Sequence, residues 1–139
     1  MLRFFAGLAI LILSLFAQLL AGSAGVHVNF TLATLIALAM TFGFWELFFC
    51  DLLAVFVLNW EPAASPALIA FALIPLAAYA FRKVFALEPW MAGLIAIVAG
   101  FSAFYLVAAP AAFAAGRPDL LLDVGAGILA GEVIIFALS

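Results

Sequence analysis

From Phe4 to Ala21 the chain runs without a single charged side chain, and apolar runs of the same kind return along its whole length. That pattern constrains the fold more than any motif does. With 72% of its residues hydrophobic and 8% charged, the chain lacks the polar side chains to cover its own surface in water, since soluble domains are about a quarter charged. Lipid tolerates such a surface, but every backbone N–H and C=O inside it needs an internal partner, which leaves helices or a closed barrel. A barrel would alternate apolar and polar residues along strands of about ten residues. These runs are apolar throughout. The expectation is an all-α integral membrane protein, a single domain over residues 1–139, folded as a compact bundle of about six transmembrane helices with short loops.

Gly, Pro and polar residues punctuate the chain. The first span is Phe4 to Ala21. Arg3 before it and Ala21 to Ala24 after it resemble a secretory signal, but the run exceeds the usual apolar core of about 7–15 residues. It is read as an uncleaved signal-anchor. After a break from Gly22 to Asn29, two short runs follow, Phe30 to Phe42 and Leu47 to Leu58, separated by Gly43-Phe44-Trp45-Glu46. Neither reaches the roughly 20 residues that a crossing needs. One continuous helix over 30–58 would be about 43 Å long at 1.5 Å per residue. Asn59 to Pro66 forms a loop, Ala67 to Phe81 the fourth span, Arg82 to Pro89 a charged loop, and Trp90 to Ala109 the fifth span. Pro110 to Pro118 reads as a small-residue linker, and the last span starts at Asp119.

Charge placement bears on the count. The four basic residues are Arg3, Arg82, Lys83 and Arg117, and cytoplasmic loops favour such residues. Six spans with both termini inside put Arg3, Arg82 and Lys83 in the cytoplasm and leave Arg117 outside; five spans would split the four evenly. Trp45, Trp60 and Trp90 fall at expected helix ends, where amphipathic rings favour the headgroup zone. Four scattered basic residues make no nucleic-acid surface. One cysteine, Cys50, allows no internal disulfide and reads as a small buried hydrophobe.

Few residues are candidates for chemistry. Glu46 stands at a helix start, where a carboxylate complements the helix dipole; the alternative is an ion or proton site with Asp51. The two are five apart and do not share a helix face. Asp51 lies deeper, either as a structural hydrogen-bond partner or as a functional contact, because a charge at membrane depth needs a partner, a water cavity or a task. Asp119 reads as a helix cap after Pro118. Asp123, one turn further on, would share its face, with Arg117 as the nearest partner for the pair. Glu132 is close to the other end of the last span, within reach of cytoplasmic water or a partner protein. Gly127 and Gly131 form a G-x-x-x-G pair that permits close helix approach in lipid, whether to a partner or within the bundle. Gly93 and Gly100 could face one groove. Pro75 would kink the fourth span, and Arg82-Lys83 would end it. His27, the lone histidine, reads as a solvated loop residue. No nucleotide-binding, hydrolase or metal motif occurs, so the sequence points to no enzyme, no cofactor and no metal.

Several stretches resemble the MreD family, the membrane component of the bacterial rod-shape system. They are the first span ending in Gln18-Leu19-Leu20, the run opening at Val28-Asn29-Phe30-Thr31-Leu32, Phe42-Gly43-Phe44-Trp45-Glu46 leading into Cys50-Asp51-Leu52-Leu53, and Leu120-Leu121-Leu122-Asp123 in the last helix. Glu46 and Phe48 stand where that family would have more glycine, and the chain is shorter than is usual for it. The resemblance implies a non-catalytic inner-membrane protein that binds a membrane partner such as MreC and helps to position peptidoglycan synthesis. The chain also looks like the six-helix substrate-binding S-components of vitamin transporters. That likeness implies a coupling subunit as partner and a ligand cavity on the outer side, with Asp51, Asn59 and the Glu61 loop converging there. A third reading is a proton- or ion-conducting subunit using Asp51 and Asp123. The candidates for partner or ligand contact are therefore Asp51, Glu46, Asn59, Asp123, Gly127 and Gly131.

Overall fold

The computed structural model describes residues 1–26, 28–58 and 65–139, which form seven helices and, among the described residues, no strand. They are α1 Leu2–Ser23, α2 Phe30–Thr41, α3 Phe44–Leu58, α4 Pro66–Val84, α5 Pro89–Ala108, α6 Pro110–Ala114 and α7 Pro118–Leu138. The last four open on proline, whose absent N–H would have no helical partner at that position and whose fixed φ suits the first turn. Ser65 caps α4, its Oγ accepting from the Leu68 N–H at 3.2 Å. The stretch expected to be a plain linker after α5 instead contains the single turn of α6.

Helices α1, α4, α5 and α7 are long and apolar enough to cross a membrane. The residues from 30 to 58 form two helices, not one. At Phe42 the backbone turns extended (φ −90°, ψ 162°), and α3 restarts just beyond Gly43. At 1.5 Å per residue α2 is only about 18 Å long. It occupies the centre of the bundle: Thr31 through Met40 are all buried, with α1, α3, α4, α5 and α7 packed around them.

Long-range contacts fix the directions of the helices. The Arg3 guanidinium donates to the Ser139 carbonyl at 3.3 Å, so both ends of the chain lie at one end of the bundle. Arg82, near the end of α4, donates to carbonyls at the end of α2, which joins the α2–α3 corner to the α4–α5 turn, and Phe42 at that corner packs against Phe4 and Gly7 near the start of α1, so both lie at that same end. Trp45 and Trp90 stand exposed there in the first turns of α3 and α5; Trp60 lies outside the described residues. Arg3, Arg82 and Lys83 share this end, and Arg117 sits at the opposite one.

Glycines set the spacing of the last two long helices. A Cβ on Gly127 would stand 2.8 Å from the Phe101 ring, and one on Gly131 would collide with Ile97 of α5 and stand 3.7 Å from the Ala33 carbonyl of α2. The G-x-x-x-G pair is therefore spent inside the bundle, where it lets α7 lie close on α5 and α2, and it is not offered to an outside helix. Gly93 and Gly100 do not face one groove. Gly93 meets Ile135 and Glu132 of α7, whereas Gly100 meets Ile36 of α2 and Ile74 of α4.

Candidate functional site

A short helix buried in an apolar core brings its unpaired terminal N–H and C=O groups with it, and these need partners. Asn29, the cap residue of α2, makes no side-chain bond to the helix. The partners come from other helices. Gln18 of α1 accepts the Thr31 N–H on Oε1 at 3.0 Å, and Asp123 of α7 accepts the Asn29 N–H on Oδ1 at 2.7 Å. At the other end Arg82 of α4 donates to the carbonyls of Ala39 (3.0 Å) and Phe42 (3.3 Å). An anion at the N-terminus and a cation at the C-terminus also complement the α2 dipole. Midway, the Ser14 and Thr34 hydroxyls are bonded at 2.6 Å, tying α1 to α2.

Asp123 is the most heavily engaged of these residues. It is 2% exposed. Besides Asn29, it accepts a hydrogen bond from the Tyr105 hydroxyl on Oδ2. The expected pairing of Asp119 and Asp123 with Arg117 is only half realised. Arg117 bonds Asp119 at 2.5 Å, with both side chains exposed, while Asp123 turns into the core. Asp119 is not the helix cap either: Arg117 holds that position and Asp119 lies in the first turn.

Beside this network the described residues enclose two clefts. A cleft of about 490 Å³ includes Gln18, Asn29, Leu58, Phe104 and Tyr105 in its walls. A neighbouring one of about 300 Å³ shares four of these residues and adds Ser65 and Phe71. This end lies opposite the chain termini. The walls combine amide, hydroxyl and aromatic groups, so the clefts can take hydrogen bonds and stack a ring. The Asp123 carboxylate lies behind, already engaged by Tyr105 and Asn29.

The other candidates are dispersed. Asp51 belongs to the inward stripe of α3 with Leu47, Cys50 and Ala54. It is 4% exposed, its Oδ1 has no hydrogen-bond partner among the described residues, and it lines neither cleft. No hydrogen bond joins it to Asp123 among the described residues. Asn59 and Glu61, expected to converge with Asp51, lie outside the described residues, as does His27. Glu46 is exposed, and its Oε2 accepts the Gly43 N–H at 3.0 Å, the back-reaching half of a capping box. Glu46→Ala should therefore cost only about 0.5–1 kcal/mol in a thermal melt; a larger loss would show that Glu46 does more than cap α3. Gln18, Tyr105 and the inward role of Arg82 were not legible as site features. Their partners are remote in sequence, and only the unbroken apolar run of α2, with no charged residue of its own at either end, hints that caps come from elsewhere.

Compared with protein-family models, curated proteins and solved structures, the chain matches none.

Proposed function

We propose that this chain is a non-catalytic, multi-pass protein of a bacterial inner membrane that acts as an interaction subunit, in the manner of the MreD family. In this reading α2 and α3 are two short membrane segments between four full crossings. That gives six segments with both termini in the cytoplasm, on the side of Arg3, Arg82 and Lys83. The observation that carries the reading is the use made of the buried polar groups. Gln18, Asp123 and Arg82 spend their hydrogen bonds on the backbone of α2. A bundle locked in this way presents its apolar outer faces unchanged to a membrane partner.

One observation favours a second reading, a substrate-binding transporter module: the amide- and aromatic-lined clefts beside Gln18, Asn29 and Tyr105 open on what would be the outer end. A single experiment separates the two. The tagged protein is purified in mild detergent, and its companions are identified by mass spectrometry under native and denaturing conditions. The scaffold reading expects membrane proteins of the cell-wall elongation machinery. Recovery of an ATPase-coupled subunit, or of a stoichiometric small molecule released on unfolding, would replace it by the transporter reading. A monomer that brings neither would overturn both.

A further inference from the structure

The end of the bundle that carries the termini has a cleft of its own. It measures about 690 Å³ and lies between the start of α5 and the last turns of α7, with Glu88, Trp90, Glu132, Val133, Phe136 and Ser139 in its walls. Two carboxylates, Glu88 and Glu132, line it. Glu132 Oε1 is enclosed without a hydrogen-bond partner among the described residues, and neither Glu88 nor Glu132 takes part in a described ion pair. The position of Glu132 is built, because Gly93 of α5 leaves room for it: a Cβ there would stand 3.2 Å from Glu132 Oε1. Glu132 is six residues from the end of α7, about 9 Å inward at 1.5 Å per residue. A carboxylate at that depth calls for a cation.

Three of the chain's four Arg and Lys side chains are engaged elsewhere. Arg82 serves the carbonyls of α2, Arg117 pairs with Asp119, and Lys83 lies 5.6 Å from the centre of the Tyr79 ring. Arg3 comes nearest, bonded to the Ser139 carbonyl at the rim of the cleft. Along α7 the outer face leading to the cleft is a row of exposed apolar side chains, Leu122, Leu129, Val133 and Phe136, the last 89% exposed. In lipid such a row gives a neighbouring helix little driving force of its own, and association there depends on packing and polar contacts. Trp90 adds an aromatic face, a further site for a cation.

We infer that this cleft receives a Lys or Arg side chain from a transmembrane helix of a partner protein, which lies along α7 with its basic residue about two turns inside the end next to the termini of this chain. The inference rests on the interaction-subunit reading and supplies the chemistry by which the partner is recognised. Opposite charge selects the helix and sets its register; the apolar row of α7 supplies the contact.

The test uses synthetic leucine-rich transmembrane peptides that carry one lysine, or norleucine in its place, two turns from one end. Their binding to the full-length protein is measured by fluorescence transfer in phosphatidylcholine bicelles. The lysine peptide should bind about tenfold more tightly, the order of one membrane polar contact, and Glu132→Gln should remove the preference while leaving the protein folded. Equal binding of the two peptides would overturn the inference, as would a preference that survives Glu132→Gln combined with Glu88→Gln. Self-association of the chain that is lost on Lys83→Ala would assign the cleft to a second copy and overturn it too. A cell-wall partner recovered without any lysine preference sinks this inference alone. A lysine preference with no such partner sinks the scaffold reading alone.

Discussion

Asp123→Leu should destabilise the protein by about 2 kcal/mol or more, and Asp123→Asn by less than half of that. Leucine has the same branched shape, with methyl groups in place of the two oxygens, but accepts no hydrogen bond, so it orphans two buried donors, the Asn29 N–H and the Tyr105 hydroxyl. Each orphaned donor costs about 1–3 kcal/mol. The lower part of that range applies in lipid, where an unfolded chain also finds partners for its polar groups. Asparagine keeps one oxygen for the Asn29 N–H and places its NH2 where the Tyr105 hydroxyl oxygen can accept from it, so both contacts survive while the charge that faces the start of α2 is lost. The origin of the cost can be checked with a second substitution. Tyr105→Phe removes the hydroxyl, so Asp123→Leu should cost less in that background than in the native one, and the double-mutant cycle reads the coupling directly. The measurement is denaturant unfolding in detergent followed by far-ultraviolet circular dichroism. If leucine and asparagine cost the same, Asp123 is not the cap of α2.

The contrast between the two aspartates of α7 explains what the sequence could and could not reveal. Four residues apart, Asp119 and Asp123 share a helix face, and the spacing alone foresees a strained pair leaning on Arg117. In the bundle Asp119 stays at the rim with Arg117, while Asp123, one turn deeper, meets the start of α2. The difference is one of depth, which spacing along a single helix does not encode. The six longer helices were legible because each is a predominantly apolar run between Gly, Pro or polar breaks, whereas the short α6 was read as linker, and the break near Gly43 was visible as glycine followed by a polar residue three positions on. The caps of α2 were not visible, because they join residues 13, 43 and 94 positions apart. No local pattern announces bonds of that range. A buried helix with no capping side chain of its own does announce the need for them. The glycines of α7 were legible as close-packing residues, but which neighbour they meet depends on how α7 turns against α5 and α2.

That rotation can be tested within one helix. Gly131→Leu should prevent the protein from reaching a stable, monodisperse state, while Gly125→Leu should leave stability unchanged or raise it. At Gly131 even a single Cβ collides with Ile97, and the Ala33 carbonyl of the neighbouring helix lies close behind. Ile97 is fully buried, so the rest of a leucine side chain has nowhere to go unless α7 lifts away from α5 and α2. Forcing extra methylenes into a packed core commonly costs about 1–3 kcal/mol. Here the cost should lie above that range, because separating the helices also disturbs Gly127 against Phe101 one turn away. At Gly125 a Cβ meets nothing within 4 Å, and replacing glycine within a helix recovers up to about 1 kcal/mol of helix propensity. Gly131→Ala should fall between the two, since the Ile97 side chain can swing its far end aside at some cost. Size-exclusion profiles before and after heating in detergent rank the three. If Gly125→Leu proves the destructive change and Gly131→Leu is tolerated, α7 packs by its other face. The cleft that holds Glu132 against Gly93 would then not exist, because the rotation that buries Gly131 also lays that carboxylate on α5.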